Sequence, residues 1–118
     1  MTTMPLSFGR PPLSMNQRLH WARKARITRE LRREAAVRAR SMRLGPVRHI
    51  TVQLHYQPRD NRRRDADNLV PTLKALCDGL VDAHLVPDDT PDLMTKRMPV
   101  IHPPVKGQPA RTWLTIES

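Results

Sequence analysis

Aspartate, arginine and lysine crowd into one stretch of this chain. Eight of its eleven acidic residues fall between Asp60 and Asp92, directly against an arginine run. The core of that stretch reads Arg62-Arg63-Arg64-Asp65-Ala66-Asp67-Asn68, followed by Lys74 and then by Pro87-Asp88-Asp89. Arginine binds phosphate through a bidentate fork. Carboxylates repel phosphate unless a cation lies between, and Mg²⁺ is a hard cation that prefers carboxylate and phosphate oxygens. Asp65 and Asp67 stand at i and i+2, so in extended chain their carboxylates point the same way. The helix start that follows offers unpaired N–H groups and a positive dipole end, which suit a phosphate. The pattern points to metal-assisted chemistry on a nucleic-acid backbone. Plainer readings stand beside it. Asp65 is also a suitable cap or a partner for Arg64, and Pro-Asp-Asp is a common turn. Lys74 is either a cation near a scissile phosphate or an i, i+4 partner of Asp78, worth tenths of a kcal/mol.

The charge balance fits a polyanionic partner. The chain carries a net charge of +10 over 118 residues, and 17 of its 21 basic residues are arginine. Thirteen of the basic residues but two of the acids precede Asp60. A one-sided basic surface concentrates and steers nucleic acid. One cysteine, Cys77, excludes an internal disulfide and is compatible with a reducing compartment. No apolar run reaches the length of a membrane span and no leader pattern opens the chain. A cytoplasmic protein with no membrane partner is expected.

The elements that must position these residues form one small α/β domain over 1–118. The fold class expected is a mixed sheet in the order β-α-β-α-β-β. A short strand is expected at Met4–Phe8, before the extended segment around Pro11 and Pro12. An arginine-rich helix follows from about Thr28, read as its N-cap, to Met42. Ile50, Val52, Leu54 and Tyr56 alternate with polar residues, which marks a strand over 48–56. Leu69, Leu73, Leu76, Cys77 and Leu80 recur at helical spacing, with Asn68 as N-cap, Pro71 in the first turn and an end near Asp82 or Ala83. Two strands near Met94–Ile101 and Thr112–Ile116, joined by a turn at Lys106–Pro109, complete the domain. Cys77 belongs to the core of the second helix. The histidines are scattered and take no ligand role. A helix of about 14 residues is roughly 20 Å long, so Asp88 and Asp89 join Asp65 and Asp67 only if the loop after the helix folds back or the sheet brings it across. Only 3% of the residues are aromatic, and so thin a core is a reason to expect a dimer.

Four stretches, taken in order, resemble the RusA-type Holliday-junction resolvases. They are Pro11-Pro12-Leu13-Ser14-Met15-Asn16, the run Arg62 to Asn68, Lys74-Ala75-Leu76-Cys77-Asp78-Gly79-Leu80, and Asp88-Asp89. The resemblance covers nearly the whole chain, and its combination of basic run, Asp-x-Asp-Asn and Asp-Asp is more specific than any single piece. It implies a dimeric, Mg²⁺-dependent endonuclease that nicks two opposed strands of a four-way DNA junction. It implies metal ligation by Asp65, Asp67 and Asp89 and an essential lysine at Lys74. It also implies DNA contacts by Arg64, with Arg62, Arg63 and Asn68 around it, and by Ser14, Asn16 and Arg18 of the proline-rich segment. The chain departs from the family at Val70-Pro71-Thr72, which reads as an inserted helical turn ahead of the lysine. Two other functions fit the same residues: a non-catalytic nucleic-acid-binding protein, and a metal-dependent nuclease for other branched DNA.

Overall fold

A computed structural model describes residues 1–15 and 17–118. It is an α/β fold in two layers, with helices on a mixed five-stranded sheet. The strands are β1 (Thr2–Pro5), β2 (Ile50–Gln57), β3 (Met94–Lys96), β4 (Val100–Ile101) and β5 (Arg111–Glu117); the helices are α1 (Trp21–Ser41) and α2 (Val70–Asp82). The sheet order is β1-β5-β2-β3, and β4 also pairs with β2. β5 runs antiparallel to β1 and β2, whereas β3 and β4 run parallel to β2.

The alternation in β2 does what its period predicts. Ile50, Val52, Leu54 and Tyr56 are buried, and Val52 and Leu54 pair with Ile116 and Leu114 of β5. Against this face lie Leu31, Ala35 and Ala39 of α1 and Leu73, Leu76, Cys77 and Leu80 of α2. Cys77 is fully buried, and burial pushes its thiol pKa up to about 12, so it is an inert core residue. Thr51, Gln53, His55, Trp113 and Thr115 share the opposite, partly exposed face. There His55 Nδ1 meets His102 Nε2 at 2.9 Å, and both rings stack near Trp113.

Four expected boundaries move, the first three for a physical reason. α1 begins at Trp21, capped by His20, whose Nδ1 accepts from Ala22 N–H at 3.2 Å. Thr28 is therefore inside the helix, and its hydroxyl donates to the Lys24 carbonyl at 2.8 Å. The early turns carry no core residue, so the apolar stripe gives no sign of them. Asn68 is not an N-cap either. It lies in a 3₁₀ turn, Ala66–Leu69, that precedes α2 and is entered from extended Asp65. The single strand expected at Met94–Ile101 divides into β3 and β4 around Arg97, Met98 and Pro99. Proline has no N–H to give a ladder, and Arg97 N–H makes the last bond before it, to Val52 O. The first strand sits two to three residues earlier than expected.

Two tertiary links set the stage for the site. Leu13 N–H donates to Thr72 Oγ1 at 3.1 Å, and the Thr72 hydroxyl donates back to Leu13 O at 2.8 Å. Met15 N–H reaches Asn68 O. The proline-rich segment is thus fastened to the start of α2. On the other side, buried Leu85 and Val86 anchor the chain leaving α2, and the parallel β3 carries it back along that helix. Among the described residues no helix is long and apolar enough to cross a membrane.

Candidate active site

Docking of the proline-rich segment creates a basic hollow at the entry to α2. It has a volume of about 290 Å³ and is lined by Arg10, Ser14, Arg63, Arg64, Asp65 and Asn68, among others. Ser14 N–H donates to Gln17 Oε1. Arg18 is exposed nearby in sequence, and the DNA contact expected of Asn16 lies outside the described residues.

The three arginines of the run have different surroundings. Arg64 is only 24% exposed and is spent on its own loop. Its guanidinium donates to Asp60 Oδ1 at 2.7 Å and to the carbonyls of Asp60 and Arg62, and lies 5.8 Å from the Tyr56 ring. That bond, chiefly, holds the Asp60 carboxyl below the usual carboxylate range. Arg62 is 83% exposed, with a loose 3.5 Å approach to Asp60. Arg63 is exposed and makes no ion pair among the described residues. Arg64 therefore shapes the loop, and Arg62 and Arg63 face solvent.

Asp65 and Asp67 are exposed, and neither carboxylate has a hydrogen-bond or ion-pair partner among the described residues. Unpaired carboxylates beside arginines are hard oxygen donors open to a cation. Mg²⁺ typically takes one or two carboxylates, keeps several waters and completes its shell with substrate phosphate. Asp65 is extended but Asp67 lies within the 3₁₀ turn Ala66–Leu69, so the continuous extended chain that would point both carboxylates the same way is not formed.

Asp89 is in a different situation. The loop after α2 does fold back, but to the middle of the helix. Asp89 Oδ2 accepts from Lys74 Nζ at 2.5 Å and from Lys96 Nζ at 2.7 Å. These bonds, Lys74 first, hold its carboxyl far below the usual range. Asp78 Oδ1 takes another hydrogen of Lys74 at 2.9 Å. Bonding to Asp89, then to Asp78, raises the Lys74 pKa. The adjacent Asp88 makes a local turn, its Oδ1 accepting from Asp89 N–H. The rise from Asp67 to Lys74 through the 3₁₀ turn and α2 is about 12 Å. Among the described residues no three of His, Cys, Asp or Glu form a metal-ligating group. The structure thus joins Lys74, Asp78 and Asp89, and it leaves Asp65 and Asp67 as a separate pair.

Lys96 and Arg97 were not marked by any motif. Their signal was a basic pair following the acidic loop, but its meaning depends on the parallel register that sets Lys96 beside Val52. No known family model matches this chain, and no curated protein matches it.

Proposed function

We propose that this chain is a Mg²⁺-dependent endodeoxyribonuclease that resolves four-way DNA junctions as a homodimer. One observation carries the reading: two unpartnered carboxylates, Asp65 and Asp67, stand at the entry to a helix, and Asp65 lines an arginine-rich hollow there. The ordered likeness to RusA-type resolvases supports it. Arg62 and Arg63 are available for phosphates on either side of the cut. Arg64 holds their loop against Asp60 and Tyr56. Asp65 and Asp67 would hold the cation. When bound, Mg²⁺ supplies charge neutralisation of the phosphodiester and stabilisation of the leaving oxygen. Lys74, already directed by Asp78 and Asp89, supplies a fixed ammonium further along α2. A four-way junction has two strands to nick for symmetric resolution, so a two-fold dimer with one site per subunit matches it. We place the protein in the cytoplasm, with its DNA.

A second reading has its own support. Asp89 is held by two lysines, which is what a DNA-binding protein without catalysis would use to steady a basic surface. A cleavage panel separates the two. Four-way junctions, flaps and linear duplex are incubated with Mg²⁺ and with EDTA. The proposal expects Mg²⁺-dependent paired nicks in the junction, lost in Asp65→Asn and Asp67→Asn while binding persists. Equal cutting of every substrate would leave a nuclease without junction selectivity. Binding without cutting would establish the second reading.

A further inference from the structure

A cleft between α2 and β3 brings cations from both elements over an apolar floor. Lys74 of α2 meets Lys96 and Arg97 there, beside Val70, Leu73 and Met98, around a space of about 260 Å³. Lys74 and Lys96 share one oxygen of Asp89, at 2.5 and 2.7 Å, so their ammonium groups lie within about 5 Å of each other. Each ammonium has three hydrogens to donate. Lys96 uses one on Asp89; Lys74 uses one on Asp89 and one on Asp78. Hydrogens on both remain for a ligand. The charges also balance in favour of an anion. Lys74, Lys96 and Arg97 contribute three positive charges against the two negative charges of Asp78 and Asp89. The excess of one matches a single phosphodiester. Val70 and Met98 are large apolar side chains left exposed at this place, and they offer a surface to the sugar next to that phosphate.

We propose that this cleft is a phosphodiester subsite, in which Lys96 and Lys74 together hold one phosphate of a bound DNA strand. Lys96 contacts the strand directly. Asp89 is the positioning residue, because its single oxygen sets the spacing of the two ammonium groups. The inference rests on DNA as the ligand named above, but not on whether the protein cuts it. A strand leaving Arg63 would follow the entry to α2 and reach the cleft one to two helical turns later.

The test is junction binding by the full chain in EDTA, across a series of salt concentrations. Wild type is compared with Lys96→Ala, Lys96→Arg and Lys106→Ala, which removes the same charge from the turn before β5. Loss of one phosphate contact should reduce the magnitude of the slope of log K against log salt by about 0.9. That reduction is expected for Lys96→Ala alone, with Lys96→Arg close to wild type because it keeps the charge. Thermal melting of each variant confirms folding, and Lys96→Gln replaces Lys96→Ala if the latter melts early. A folded Lys96→Ala or Lys96→Gln with the wild-type slope overturns the subsite. So does an equal loss in Lys106→Ala, which would assign the effect to net charge. Wild type that binds junctions without cutting them would remove the nuclease reading and leave the subsite standing. Wild type that binds no DNA would end both.

Discussion

Gly79 is where the two helices touch, and adding one methyl group there should be felt through the whole site. A Cβ built on Gly79 would lie 2.3 Å from the Arg32 carbonyl oxygen and 2.8 Å from Ala35 Cβ, whereas ordinary contact begins at 3.4 Å. Relief requires α1 and α2 to part by roughly 1 Å, in an interior packed too tightly to absorb it. Overpacking costs about 1–3 kcal/mol, and the upper end applies because the obstacle is backbone. Alanine returns about 1 kcal/mol of helix propensity relative to glycine. The net destabilisation is about 2 kcal/mol, or a fall in Tm of about 8 °C for a domain of this size. Gly45→Ala is the control, since a Cβ there meets nothing within 4 Å. Thermal unfolding by circular dichroism reads both. The same displacement moves Lys74 and Asp78 with α2, so Gly79→Ala should also weaken junction binding or nicking well below its Tm. A Tm for Gly79→Ala at or above wild type would show that the helices do not approach this closely, and the reasoning would fail.

Two further outcomes follow from the ion pairs. Arg63→Ala should lower the salt slope of junction binding by about 0.9 with an unchanged Tm, whereas Arg64→Ala should lower Tm because it releases Asp60 and the loop; a slope change without a Tm change in Arg64→Ala would reverse these roles. Asp89 has a depressed pKa in the folded state, so its contribution to stability is complete above the ordinary carboxylate range and is lost as pH falls through the depressed value. Stability measured from about pH 5 downward should therefore fall less steeply in Asp89→Asn than in wild type, the residual slope coming from Asp60 and Asp82, which are depressed by Arg64 and Arg32. Identical acid limbs would mean that the lysines do not hold Asp89 in solution.

Local patterns in this sequence carry the elements whose burial is periodic. β2 and α2 are legible because Ile50 to Tyr56 and Leu69 to Leu80 each write one buried face at the period of their structure. The first turns of α1 were not legible, because Trp21 to Arg26 hold no buried residue and so write no apolar stripe. At the level of sequence a glycine inside α2 is only a mild cost to a helix; the use of Gly79 as a contact point is a property of α1, 44 residues or more away in the chain. The β3–β4 break was readable in principle from Pro99 alone.

The candidate site divides along the same line. Residue types and short spacings are enough to nominate Asp65, Asp67 and Lys74, because i, i+2 and the approach to a helix are local geometry. They are not enough to assign partners to Asp89. Whether its loop reaches the start or the middle of α2 depends on how Leu85 and Val86 bury and on the parallel pairing of β3 with β2. That pairing also delivers Lys96, so the residue that competes for Asp89 arrives by the same topology that brings Asp89 to the helix. An aspartate clasped by two lysines is not open to a cation, so Asp65 and Asp67 are the carboxylates left for one, and Asp89 serves instead to fix the spacing of the two ammonium groups. On this argument Asp89→Asn should weaken strand binding at Lys96 in EDTA, where no cation can contribute.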